Sequence, residues 1–202
     1  MNPELRKNRT GRRVRSITAA AIVLLVGLLV CLVLWQRHSA SVRGQARATL
    51  QVQSNSFANG GAIPRQCTCD GANDSPSLQW WNAPAGTKSF ALVMNDPDAP
   101  IDFTHWLAYN IPPGVRGLAE SASAHGAMPQ DSAEGTNSFG RLGYGGPCPP
   151  AGKLHHYVLR LYALDVRPAL PPGAPRDQVE SAIGGHVLAE GEIMGTYRRL
   201  GQ

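Results

Sequence analysis

Ile17 to Trp35 reads ITAAAIVLLVGLLVCLVLW, nineteen positions without a charge. As a helix rising about 1.5 Å per residue, the run would extend about 28 Å, close to the ~30 Å hydrocarbon core of a bilayer. A helix apolar on every side has no polar face to turn to water. It therefore partitions the chain into a basic cytoplasmic segment at 1–16, a transmembrane anchor at 17–35, a tether at 36–50 and a body at 51–202. Six basic residues precede the run and fewer follow it closely. The positive-inside rule then predicts a single-pass protein with its N-terminus in the cytoplasm and its body on the extracytoplasmic side. Trp35 suits the far interface.

The competing reading is a cleaved signal peptide, whose apolar core normally spans about 7–15 residues. Here the core is longer. His38-Ser39-Ala40 puts a bulky residue at the −3 position of a cleavage site, and Gly44-Gln45-Ala46 lies far from the run. Val30 precedes Cys31 where a lipoprotein signal wants a small residue. An uncleaved anchor is the expectation.

The anchor's flanks also explain the charge. The chain has a formal net charge of +5, but residues 1–47 carry nine basic residues against Glu4 alone. The remainder holds ten basic and thirteen acidic residues. A mildly acidic body argues against nucleic acid as a partner.

The body reads as strands and turns. Glycine (22) and proline (16) are plentiful, which favours short strands over long helices. Ser89–Asn95 (SFALVMN) is almost wholly apolar and predicts a buried strand. Thr104–Ile111 (THWLAYNI) predicts a second, with His105, Leu107, Tyr109 and Ile111 on one face. His155–Leu164 (HHYVLRLYAL) predicts a third, with His155, Tyr157, Leu159 and Leu161 facing one way and His156, Val158 and Arg160 the other. One helix is expected at 176–183, after Pro175 and before Gly184-Gly185. Residues 114–154 predict a long loop region. The fold class expected is mainly β, an antiparallel β-sandwich with short helices.

Two strand openings carry the chemistry. His105 follows the acidic loop NDPDAPIDF (95–103), and His155 follows GYGGPCPPAGK (143–153). Glycine-rich backbone can bring amide N–H groups close to an anion. Two imidazoles, the Tyr157 phenol and such amides predict a site for phosphate or carboxylate; the plainer reading of each histidine is a satisfied core residue. No G-x-S-x-G, Walker loop or H-E-x-x-H is present, so no catalytic residue is assigned. Asp96, Asp98, His105, His155 and His156 show no compact ligand spacing, so neither a metal nor another cofactor is expected. Of the body cysteines, Cys148 is the expected disulfide partner of Cys67 or Cys69, which are too close to bridge each other easily; three free thiols is the alternative.

Several motifs in one order then resemble a known family. DPDAP (96–100), THW (104–106), GYGGPCPP (143–150), LHHYVLRLYALD (154–165) and GHVLAEGEIMGTY (185–197) are similar to the phosphatidylethanolamine-binding protein family, within it the bacterial Raf-kinase-inhibitor-like branch. CDGANDSPSLQWWNAPAGTKSFAL (69–92) fits the same branch. The resemblance covers about residues 52–200. It implies a β-sandwich with a small pocket for phosphate-like and carboxylate-like groups, lined here by Asp96, His105, Gly146, Pro149, His155 and Tyr157. Tyr197 is a candidate from the C-terminal end. The Asp-Pro loop would be a rigid wall fixing His105, with Asp96 orienting an imidazole and Asp98 stabilising the turn. The implied function is a membrane-anchored module, not an enzyme, for a phospholipid head group, a small anion or an acidic or phosphorylated protein target. The alternative is inhibition of a kinase or protease through the same rim, with a hydrolase third.

Overall fold

The apolar runs pack as the middle strands of one large sheet. The computed structural model describes residues 48–123 and 126–200, and Gly27 alone of the N-terminal segment. The anchor expected at 17–35 and most of the tether lie outside the described residues. Among the described residues no helix is long and apolar enough to cross a membrane.

Strands β1 (Ala48–Thr49), β9 (Val187–Arg198), β8 (Leu154–Leu164), β4 (Ser89–Asp96), β5 (Phe103–Ile111) and β7 (Ala133–Glu134) form a six-stranded sheet in that spatial order. Strands β2 (Gln51–Gln53), β3 (Leu78–Trp81) and β6 (Gly117–Leu118) form a three-stranded sheet. The expectation of an antiparallel sandwich holds with one exception: β1 runs parallel to β9. The long loop expected at 114–154 contains the two short strands β6 and β7, too brief to leave a periodic signal.

The large sheet is buried on both faces, which is why β4 reads as a continuous apolar run. Phe90, Leu92 and Met94 share an inner core with Leu78, Trp80 and Leu118 of the small sheet. The Trp80 and Phe90 rings meet edge-on at 5.5 Å. Ala91 and Val93 point outward, under the α-helix α1 (Arg176–Ile183), whose Val179 and Ile183 close that layer. Burying side chains of this size stabilises by roughly 1.5–3 kcal/mol each. α1 spans the expected residues. It stops where Gly185 takes a φ of +81°, a conformation that side chains disfavour.

One feature of β5 departs from simple alternation. Met94 pairs with Trp106 but Asn95 pairs with Thr104, leaving His105 as an extra residue in a bulge. A bulge re-aims the side chain it carries. Leu107 and Tyr109 lie in the outer core, while His105 packs on Tyr157 of the inner core. A second shift, beside Asn110 at φ 57°, moves Ile111 to the inner core as well. The expectation that His105, Leu107, Tyr109 and Ile111 share a face is therefore corrected. The β8 alternation stands: Tyr157, Leu159 and Leu161 lie in the inner core, and His156 and Arg160 are more exposed.

Candidate functional site

Asp96 ends β4, His155 and Tyr157 begin β8, and His105 begins β5, so antiparallel pairing gathers all four at one end of the inner face. All four are buried. His155 Nδ1 donates to Asp96 Oδ2 at 2.7 Å. The other oxygen, Asp96 Oδ1, accepts the amides of Asp98 (2.9 Å) and Ala99 (3.1 Å). One carboxylate thus folds the Asp-Pro loop and orients an imidazole. That imidazole is His155, not His105.

A different device fixes His105. Its Nδ1 donates to the Gly145 carbonyl at 2.6 Å, and the Gly145 amide donates back to the His105 carbonyl at 2.8 Å. The ring stands edge-on to Tyr157 at 5.1 Å and lies against Phe103 (5.0 Å) and Phe139 (5.5 Å). This apolar box lowers the His105 pKa below the usual histidine value. Burial is the main cause, and the carbonyls of Gly145 and Gly146 and the charge of Asp96 oppose it, while His155 adds to it. Asp96 does favour the charged ring, but desolvation outweighs it.

Each histidine has Nδ1 engaged by the protein and Nε2 with no hydrogen-bond partner among the described residues. The Tyr157 hydroxyl is fully buried and, though close to the Asp96 carboxylate, makes no hydrogen bond of regular geometry with the protein. Its pKa is raised, first by burial and then by the nearby Asp96 carboxylate, so it stays a neutral phenol. The neighbouring pair, His156 Nδ1 to Asp98 Oδ2 at 2.7 Å, lies at the surface. Asp98 also accepts the His156 amide, which gives it the turn-holding role expected from the loop.

The glycine loop's amides at 143–146 are all engaged by the protein. Gly143 donates to Gly135, Tyr144 to Ser123, Gly145 to His105 and Gly146 to Asn73. Positions 147, 149 and 150 are prolines with no N–H. The loop is instead fastened to residues 65–74. Cys69 and Cys148 form a disulfide, the Tyr144 hydroxyl donates to the Cys67 carbonyl at 2.6 Å, and Cys69 N donates to Pro147 O at 3.1 Å. Cys67 remains a buried thiol, its pKa pushed up to about 12 by burial and by Glu120 and Asp74. Pro149 is buried beside the bridged Cys148.

Gly146, expected to contact a ligand, is closely packed against the 65–74 segment. A Cβ there would sit 2.4 Å from the Cys67 carbonyl oxygen and 2.9 Å from Thr68 Cα. Backbone cannot step aside cheaply, so Gly146→Ala is expected to cost about 1–3 kcal/mol. Urea unfolding checks this; an unchanged midpoint would contradict the close packing. Tyr197 lies opposite His155 in the sheet register but gives its hydroxyl to Asp70 at 2.7 Å. Asp70 also pairs with Arg199, and these contacts hold its pKa below the usual carboxylate range. Phe103 and Phe139 escaped sequence reading. Phe103 was within reach as the residue two before His105, but Phe139 arrives from a loop whose path no periodicity records.

Among the described residues no group of three or more His, Cys, Asp or Glu side chains could hold a metal ion. A separate cleft of about 640 Å³, lined by Thr49, Gln51, Asn59, Arg160 and Glu192 among others, contains none of these site residues.

Comparison with known proteins covers the described domain. The family model for phosphatidylethanolamine-binding protein matches residues 53–198. A UPF0098 protein of Methanothermobacter thermautotrophicus is 47% identical over 151 residues, covering 74% of this chain and 99% of the relative. LppC of Mycobacterium tuberculosis, whose name marks it as a candidate lipoprotein, is 41% identical over 160 residues, 78% of this chain and 77% of its own. Among solved structures, E. coli YbcL, described as a new member of the mammalian PEBP family, superposes with a TM-score of 0.70 at 35% identity, covering 75% of this chain and 99% of that one.

Proposed function

Because the chain belongs to the phosphatidylethanolamine-binding protein family, we propose that residues 51–202 are a binding module that holds an oxyanion at His105 and His155. The oxyanion is the phosphate of a phospholipid head group, a small free anion, or an acidic or phosphorylated group on a partner. One observation carries this reading. Two buried imidazoles each have Nδ1 fixed by the protein and Nε2 unpartnered, beside a buried phenol hydroxyl with no partner. An unsatisfied buried polar group costs about 1–3 kcal/mol, a cost that a ligand would offset. Binding fits better than turnover, because among the described residues the buried hydroxyl and thiol of this region are held protonated. The pKa values of the Tyr157 phenol and the Cys67 thiol are both raised.

Titration calorimetry with phosphate and phosphoethanolamine on the full chain in non-ionic detergent tests the site. A hydrogen bond to a charged group contributes roughly 1.5–3 kcal/mol, so His155→Ala should weaken binding about ten- to a hundred-fold. His156→Ala should leave it unchanged, since that ring is spent on Asp98 at the surface. The opposite pattern would place the ligand elsewhere.

The module is held at the membrane by residues 17–35, on the side opposite the basic N-terminus. A relative named as a candidate lipoprotein and a disulfide suited to an oxidising compartment support this placement. A periplasmic or external reporter fused after Gln202 should be active. Activity from a reporter that works only in cytoplasm would overturn the topology.

A further inference from the structure

We propose that the pocket selects oxyanions that bring their own proton, phosphomonoesters in the monoanionic form, over phosphodiesters and sulfate. This rests on the anion-binding reading above and narrows its ligand class.

The argument begins with the His105 tautomer. A carbonyl oxygen can only accept, so the bond to Gly145 keeps the proton on Nδ1. In the neutral ring Nε2 is then a bare lone pair, an acceptor. The ring cannot exchange its nitrogens without breaking this lock. Gly145 is tied back to His105 by its own amide, and Gly146 is pinned by Asn73 at 2.7 Å. Phe103, Phe139 and Tyr157 hem in the ring. The adjoining loop offers no free amide at 143–146 to replace a donor.

The charged groups facing His105 come from three directions. Asp96 lies at the end of β4, His155 and Tyr157 on β8, and Arg141 stacks on Phe139 at 5.3 Å. Burial outweighs the Asp96 charge and favours the neutral ring, with His155 pushing the same way. Near neutral pH the position therefore presents an acceptor. A fully ionised oxygen would meet a lone pair and be repelled. A phosphomonoester monoanion has one P–O–H to donate to Nε2 and keeps its negative oxygens for the buried Tyr157 hydroxyl. The complex holds one proton between ligand and ring, supplied by the ligand. A diester or sulfate has none to supply, so His105 must first take a proton from water.

Linkage gives the signature. A phosphomonoester loses its last proton near pH ~6, so its affinity should be flat between the His105 titration and that value and fall about tenfold per pH unit above it. Sulfate and dimethyl phosphate depend on protonated His105. Their affinity should begin the same tenfold-per-unit fall at a lower pH, since His105 titrates below its usual ~6.5. The preference for the monoester thus grows with pH and then holds constant.

The test is calorimetry of the full chain in non-ionic detergent from pH 5 to 8, with methyl phosphate, dimethyl phosphate and sulfate as probes. Support requires the methyl phosphate profile to break at a higher pH than the other two. The break should also move with the ligand's own second pKa in a fluorinated monoester. His105→Gln, which cannot titrate, should abolish the sulfate slope; if that variant does not fold, the wild-type profiles decide. Equal affinities with a shared break would overturn the proposal while leaving an anion site in place. No saturable binding of any probe would remove the anion site and the proposal with it.

Discussion

Removing the Cys69–Cys148 disulfide, by reduction or by Cys148→Ser, is expected to lower stability by about 4 kcal/mol. The bond joins positions 79 residues apart, and closing a loop of that length restricts the unfolded chain by about 4.5 kcal/mol in the chain-entropy model. For a domain of this size the loss corresponds to roughly 10–15 °C in Tm. Thermal melts of the full chain in detergent, with and without reductant, provide the check. The nearby Cys67 should not exchange into the bridge readily, because its thiol is buried and protonated. The site should loosen as well as the fold, since the loop that carries Cys148 also carries the Gly145 carbonyl on His105. Three non-covalent ties remain between the two loops: Gly146 to Asn73, Tyr144 to Cys67 and Cys69 to Pro147. A melting shift of only a degree or two would mean that these ties hold the loop without the bridge.

The regular parts of this architecture were legible because their signals are local. β4 is a run of apolar residues, β8 alternates cleanly, and α1 lies between Pro175 and a glycine pair. The bulge at His105 was not legible. It arises from a mismatch between two strands, and no periodicity within THWLAYNI reports the partner's register. The motif order put Asp96, His105, His155 and Tyr157 in one place but left open which imidazole Asp96 orients. Asp96 lies nearer to His105 in sequence, but antiparallel pairing of β4 with β8 brings it to His155. The glycine loop was ambiguous for a related reason. A Gly-Pro stretch can expose amides or bury them, and here the choice was made by residues 65–74 through Asn73 and the disulfide. Contacts between distant loops carry no local pattern, and most of the site's support is of that kind.

Asp96→Ala should be the most damaging single change within the site, costing about 3–4 kcal/mol. Three hydrogen bonds disappear together: one from His155 Nδ1 and two from the amides of Asp98 and Ala99. Bonds to a charged acceptor contribute roughly 1.5–3 kcal/mol each and neutral ones about 1, though bonds sharing one group do not add fully. The buried His155 would also keep an N–H with no acceptor. Asp96→Asn separates the two duties of the carboxylate. If the amide oxygen continues to accept the loop amides, the NH₂ faces His155, where a second donor already stands. His155 must then move its proton to Nε2, so that Nδ1 can accept. The fold should recover about 1–2 kcal/mol relative to alanine, because the turn and one bond to the imidazole are restored. The ligand-facing nitrogen of neutral His155 would become a donor. Urea unfolding of both variants gives the energies, and nitrogen-15 chemical shifts of the imidazole report the tautomer. Equal destabilisation by alanine and asparagine, with the proton still on Nδ1, would show that the turn rather than the imidazole pairing is what Asp96 secures.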